Sequence, residues 1–214
     1  MLKKLLVSLL LALLCISVVA ETESQSNENQ NENDAKIDEK GDVFVPPLWY
    51  HISSEGMAEV KFYRSYKYLE SIVIPSEIRV DGHVYSVTII GEEVFSGCSG
   101  LTSIEIPSSV TSIYYYAFDG CSGLSNIEIP SSVTSIGAFA FSGCYSLANI
   151  KIPSGVTSIR EGTFRDCQGM KSIKIPSSVT SIGDEAFCKC YNLNIVIDNS
   201  KENVKVGKEA FEGC

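Results

Sequence analysis

The chain has 214 residues, of which 44% are hydrophobic and 20% charged, and its formal net charge is −9. That length allows one sizeable domain with an apolar core. The acidic balance excludes a protein that binds nucleic acid through a basic face, and it disfavours docking on an anionic membrane surface.

The first twenty residues have the pattern of a secretory signal. Lys3 and Lys4 precede an apolar run over residues 5–20 that ends in small side chains, as in a cleavable signal peptide. The run is shorter than the roughly 20 residues that a membrane-spanning helix needs. An uncleaved anchor and lipoprotein processing at Cys15 are the alternatives, although Leu14 is larger than the residue such processing requires. We expect a secreted or cell-surface protein, with no membrane insertion after signal removal.

Residues 21–42 are predicted to be a disordered acidic tether. Asn, Gln, Ser and Glu dominate them, and eight acids face only Lys36 and Lys40. Such a segment holds too little apolar surface to offset the entropy lost on ordering.

Residues 43–68 are predicted to form an N-terminal β-hairpin cap. Residues 48–53 and 57–63 have the composition of two strands, and the short turn between them contains Gly56. The cap would cover the apolar end of the structure that follows.

A 23-residue repeat occupies residues 69–214. Residues 101–107 return as 124–130, 147–153 and 170–176, and Phe118 recurs at the same interval. The alternation Ile104-Glu105-Ile106 has the period of a strand buried on one side, and Pro107 ends that strand. Stacked coils would share one core and pair strand on strand. The sequence therefore predicts a mainly β repeat solenoid of about six coils.

The two flanking coils are irregular. The first contains an insertion around residues 79–85, and the last has a polar middle at residues 198–203. Terminal coils of a stack are expected to be atypical because one side has no neighbour. Either the last coil is its own cap, or the chain is a fragment of a longer array.

The pattern L-x-x-I-x-I-P-x-x-V-x-x-I-x-x-x-A-F-x-x-C resembles the BspA-like leucine-rich-repeat family of bacterial surface and secreted proteins. The resemblance covers residues 69–214, and residues 49–50 and 81–87 look like the usual lead-in to such arrays. It implies a cell-surface or secreted protein that adheres to host proteins or to other cells. It transfers no ligand-binding residue to this sequence.

The cysteines follow the repeat. Six occupy one equivalent position each: Cys98, Cys121, Cys144, Cys167, Cys190 and Cys214. We predict a buried ladder of free thiols, because stacked equivalents point in parallel whereas a disulfide needs converging Cβ atoms. A disulfide framework is the alternative in an exported protein. Cys188 follows Phe187 at a position that is polar in other coils, so it is expected to be exposed, as an incidental free thiol or in an intermolecular bridge.

No catalytic residue, metal site or cofactor is predicted. His51 and His83 are far apart, and neither has a second ligand at zinc-binding spacing. The runs around Cys98 and Cys121 are copies of the repeat's corner rather than nucleophile motifs. We expect a protein that is not an enzyme.

Candidate ligand contacts are the residues that the repeat leaves unconstrained. The outward positions of the predicted ladder strands form a Ser/Asn row beside a charged row: Ser103, Glu105, Asn126, Glu128, Asn149, Lys151, Ser172 and Lys174. This surface would receive an extended peptide or a glycan, or would only balance charge across a solvated sheet. Tyr114, Tyr115, Tyr116 and Phe139 would form an aromatic patch, or the tyrosines would pack under the insertion near Val84 and Tyr85.

These features predict an exported interaction or adhesion protein that presents an extended surface to a protein or glycan ligand. A structural spacer or subunit of a larger surface assembly is the first alternative. An inhibitor or accessory domain for extracellular hydrolases is the second.

Overall fold

A computed structural model of the full chain describes residues 36–63, 66, 68–197 and 204–214. The predicted signal peptide and residues 21–35 of the tether lie outside the described residues. The described residues all belong to one compact unit, Lys36–Cys214. None of them lies in a helix with the length and apolarity needed to cross a bilayer.

Short strands make up the regular structure. They are β1 (Asp42–Val45), β2 (Leu48–Ile52), β3 (Met57–Lys61), β4 (Ser71–Val73), β5 (Glu77–Val80), β6 (His83–Ile90), β7 (Ser103–Glu105), β8 (Ser112–Ile113), β9 (Ser135–Ile136), β10 (Ser158–Ile159), β11 (Ser172–Ile175), β12 (Ser181–Ile182), β13 (Asn194–Ile197) and β14 (Lys205–Val206).

The N-terminal cap has one strand more than the sequence predicts. The predicted hairpin is present as β2 and β3, which pair antiparallel, and β1 pairs antiparallel with β2. Strand β1 begins at Asp42, inside the predicted tether. The Asp38 carboxylate accepts the amides of Lys40 and Asp42 at 2.8 and 2.9 Å, and this turn leads the chain into the sheet, where Val43 is buried.

The insertion in the first coil is a second hairpin. Strands β5 and β6 pair antiparallel around Asp81-Gly82, and both turn residues have positive φ, 49° and 74°. Asp-Gly in that conformation suits a two-residue turn between twisted strands. The second half of β6 then pairs parallel with β3 and with β8, so the cap and the first coils share one sheet.

The back side of each coil carries the Thr-Ser-Ile segment. Strands β6, β8 and β9 stack parallel on this side, as do β10, β12 and β14. Successive threonines join the coils through their backbones, for example from the Thr134 amide to the Thr111 carbonyl at 2.9 Å. One isoleucine of each of the first five strands points inward and is buried, namely Ile90, Ile113, Ile136, Ile159 and Ile182.

The opposite side, here called the ladder side, has less strand pairing than the sequence predicts. Its pairs are β4 with β7, β11 with β13, and a single bridge between Asn126 and Asn149. In the two middle coils, residues 126–128 and 149–151 keep the exposed–buried–exposed alternation, with Ile127 and Ile150 buried, although neither segment is a strand.

The corner between the two sides is bonded at every step from one coil to the next. Each phenylalanine amide donates to the carbonyl of the residue that precedes the phenylalanine of the next coil. For example, the Phe141 amide donates to the Thr163 carbonyl at 2.9 Å. The phenylalanine rings also stack, at centroid distances of 5.2 to 5.7 Å, from Phe95 to Phe211. Tyr66 of the cap continues this column at 5.8 Å from Phe95.

The repeated cysteines are free thiols, as predicted. Each Sγ from Cys121 onward donates to the phenylalanine carbonyl of the preceding coil at 3.1 to 3.2 Å. That carbonyl also accepts the amide of the cysteine in its own coil, as Phe118 does from Cys121 at 3.1 Å. The predicted burial holds for the other five of these thiols but is wrong for Cys214, which is exposed.

The prediction that Cys188 is exposed is wrong, because only 5% of the residue is accessible. Its backbone lies in the corner, where its carbonyl accepts the Asp166 amide at 2.9 Å. Arg165 and Glu185 form an ion pair across neighbouring coils and lie close to the thiol, as does Glu212. A position that is polar in other coils is therefore buried here, beside an ion pair that joins its coil to the preceding one.

Candidate binding surface

The outward residues of the ladder side form two exposed rows, which together we call the ladder face. All eight predicted contacts on this side, from Ser103 to Lys174, are exposed. Neighbours in the first row lie in register where the strands pair, as Ser71 does with Ser103 and Ser172 with Asn194. The ladder face thus brings the predicted ladder-side residues together on one side of the coils.

The second row changes sign along the stack. Two glutamates, Glu105 and Glu128, are followed by Lys151 and Lys174. Among the described residues, the salt bridges within 4.0 Å include none of Glu105, Glu128 and Lys151. Glu128 and Lys151 therefore do not form a salt bridge with each other, and both side chains face solvent.

The predicted aromatic residues lie at the corner that follows the back-side strands, here called the aromatic edge (Tyr114, Tyr115, Tyr116 and Phe139). Tyr114 and Tyr115 are 38% and 46% exposed. The rings of Tyr116 and Phe139 stack at 5.1 Å with an interplanar angle of 4°, and both residues are half-buried.

Ring contacts do not place these tyrosines under the β5–β6 hairpin. Tyr85 neighbours the ring of His83 at 6.4 Å, whereas Tyr116 neighbours Phe139. The alternative of packing near Val84, which is itself exposed, therefore gains no support from the ring geometry.

Sequence reasoning missed the surroundings of the aromatic edge. A Cβ added at Gly162 would collide with Cε1 of Phe139, so the ring lies over this glycine. Glu92 and Glu93 occupy the preceding coil and Glu161 the following one, and all three are exposed. Reading the repeat by column would have found them, because the aromatic residues replace acids at these positions.

The cap holds a small polar cluster of its own. Asp42 binds His51 Nδ1 at 2.9 Å and Lys61 Nζ at 3.1 Å. Burial raises the pKa of the neighbouring Glu59 carboxyl. Within the described ranges, no group of three or more His, Cys, Asp or Glu side chains is arranged to hold a metal ion.

Solved structures of bacterial leucine-rich-repeat proteins share this architecture. A leucine-rich-repeat protein of T. pallidum is 30% identical, with a TM-score of 0.68 over 78% of this chain and 86% of that one. One from Eubacterium ventriosum is 26% identical, with a TM-score of 0.56 over 81% of this chain and 50% of that one. The pneumococcal vaccine antigen PcpA, at 18% identity and a TM-score of 0.53 over 77% of this chain and 51% of that one, shares the fold.

No curated protein matches the chain at a significant level. The profile of the BspA type leucine rich repeat region matches residues 88–214 with six copies, more than half of the sequence. Together with the repeated corner and the T. pallidum structure, this match shows that the chain belongs to the family of proteins with BspA-type leucine-rich repeats.

Proposed function

We propose that this protein is exported and acts at the cell surface or in the surrounding medium as an adhesion or interaction protein. Its ladder face receives an extended protein or glycan ligand. The observation that carries the proposal is the pair of exposed rows, whose charges at Glu105, Glu128 and Lys151 have no ion-pair partner among the described residues. The N-terminal signal pattern and the family support export.

The shape of the ladder face suits a ligand that runs along the stack. Neighbouring coils are about 4.8 Å apart where they pair, so the four charges from Glu105 to Lys174 cover roughly 14 Å. An extended chain of four or five residues spans the same length at about 3.3 Å per residue. Serine and asparagine side chains beside the charges offer hydrogen-bond donors and acceptors to a peptide backbone or to sugar hydroxyls.

The proposal is tested by capture from a panel of extracellular-matrix proteins and glycans. The decisive variant is Glu128→Lys/Lys151→Glu, which exchanges the two central charges of the row and leaves the net charge unchanged. Its matched control is Glu77→Arg/Arg79→Glu, which exchanges the two members of an exposed ion pair on β5.

We expect the ladder-face exchange to weaken capture of a panel member at least tenfold and the control to leave it unchanged, because like charges would now oppose the ligand. Equal capture by wild type and both variants would contradict a binding role for the ladder face. A panel of which no member is captured would favour the spacer alternative.

A further inference from the structure

We infer that the aromatic edge is a second docking site, and that its occupant is a basic, extended segment of a protein partner. This inference rests on the proposed function, since it names a kind of partner for an interaction protein. It uses residues at a different part of the coil from the ladder face.

Departures from the repeat coincide at this edge. Equivalent residues share a left-handed backbone, with φ between 53° and 57°, and they are Glu93, Tyr116, Phe139, Gly162, Glu185 and Glu209. Four of the six are thus a glutamate or a glycine, and only two neighbouring coils carry aromatic rings. Two residues earlier in the coil, glycine recurs as Gly91, Gly137, Gly183 and Gly207, and Tyr114 and Arg160 replace it.

The rings form a supported platform. Tyr116 and Phe139 are parallel within 4° at 5.1 Å. Phe139 lies over Gly162, where any side chain would collide with the ring. The backbone conformation is left-handed at both aromatic residues, which is costly for bulky side chains. The platform is therefore held in place by its own coils, and it is half-exposed before any partner arrives.

Carboxylates flank the platform along the stack. Glu92 and Glu93 precede it and Glu161 follows it, all exposed and none in a salt bridge with another described residue. Ring faces attract cations, and carboxylates attract them more strongly. A neutral glycan would gain nothing from these acids, whereas a guanidinium group can stack on the rings and pair with the flanking carboxylates.

The spacing selects an extended segment. Glu92 and Glu161 are three coils apart, roughly 14 Å at about 4.8 Å per coil. An extended peptide covers about 13 Å in four residues. Two basic side chains four residues apart therefore match the acids on either side, and a third one, two residues from each, lies over the rings on the same face of the extended segment.

The test uses the full-length protein and a synthetic dodecapeptide with Arg at every second position and Gly or Ser elsewhere, which puts the Arg side chains on one face of the extended chain. Peptides with Gln or Glu in place of Arg serve as probe controls, and affinity is measured by titration calorimetry. We expect the Arg peptide to bind at least tenfold more tightly than the Gln peptide. Failure of the Arg peptide to bind would overturn the inference.

Variants distinguish binding of the Arg peptide at the aromatic edge from its general attraction to an acidic protein. Phe139→Ala and Phe139→Leu should each weaken binding roughly five- to tenfold, because neither keeps the ring. Glu92→Gln/Glu93→Gln should weaken it similarly, and less so in about 0.5 M salt. The matched control Glu39→Gln/Glu55→Gln removes the same charge from exposed positions in or just before the N-terminal cap, away from both surfaces, and should change affinity less than twofold.

Equal weakening by the two glutamine pairs, or unchanged affinity in both Phe139 variants, would overturn the inference. Thermal unfolding of each variant checks that the fold is intact. Neither of these results bears on ligand capture by the ladder face, which is measured separately with Glu128→Lys/Lys151→Glu.

Discussion

Each coil of the stack contains a second residue with a left-handed backbone, four residues before the position at which the leucine of the next repeat recurs. Glycine occupies this place as Gly97, Gly120, Gly143 and Gly213, but Asp166 (φ 59°) and Lys189 (φ 63°) replace it in two coils. The conformation costs an ordinary L-residue about 1–2 kcal/mol relative to the right-handed region. The repeat therefore tolerates residues that do not suit its backbone.

Lys189→Gly is expected to stabilise the protein by about 0.5–1 kcal/mol. Glycine relieves the backbone, and its greater freedom in the unfolded chain offsets part of the gain. Urea unfolding measures the change. Lys171→Gly is the control, since Lys171 is exposed but lies outside the positive-φ residues, and it should destabilise slightly. Midpoints that move in the same direction for both variants would contradict the explanation.

At the scale of elements, the corner of each coil is what joins the stack continuously. Amides of successive phenylalanines donate to the next coil, their rings stack, and the cysteine thiols donate back to the preceding coil. The ladder side, by contrast, pairs in separate places, with only the Asn126–Asn149 bridge in the middle coils.

Amide hydrogen exchange should show this difference directly. The amides of Phe118, Phe141 and Phe164 are expected to exchange most slowly, since they are buried and bonded to the next coil. Amides of residues 127–129 and 150–152 should exchange faster by an order of magnitude or more. Uniform protection on the two sides would show that the ladder side is as firmly paired as the corner.

Most of the architecture could be predicted from the sequence because every coil makes the same contacts with the coils next to it. Phe118 and its equivalents, the alternation around Ile104 and the free thiols depend on contacts that recur at every step. The errors arose where a contact does not recur. Cys188 is buried beside the Arg165–Glu185 ion pair, and β1 depends on a turn set by Asp38. The repeat contains neither feature.

The candidate contacts lie at positions that the repeat leaves variable, and the sequence predicts only part of their placement. Exposure of the ladder-face residues follows from strand alternation. The support of Phe139 by Gly162 comes from a neighbouring coil, so single-coil alignment does not reveal it. What these surfaces bind stays a prediction, because the repeat specifies only where they lie.

Considered as a whole, the molecule keeps a column of thiols in an apolar core. Burial raises the pKa of Cys98 to about 11 and that of Cys144 and Cys190 to about 12. In the unfolded chain these thiols would ionise near pH 8.5. The native state therefore holds protons in mildly alkaline solution that the unfolded state has lost.

Stability should consequently be independent of these thiols below about pH 8.5 and should fall as the pH rises above it. The slope approaches about 1.4 kcal/mol per pH unit for each such thiol, until the native pKa is reached. Urea unfolding between about pH 7 and pH 10 measures it. Cys144→Ala should make the slope shallower, and an unchanged slope in that variant would contradict the assignment.

The central claim is that the ladder face of this stack is a binding surface, and the most direct test is a hydrogen-exchange footprint with the partner captured from the panel. We predict added protection in residues 103–105, 126–128, 149–151 and 172–174 relative to the protein alone. Protection confined to the cap at residues 42–61, or to the β5–β6 hairpin, would contradict the claim.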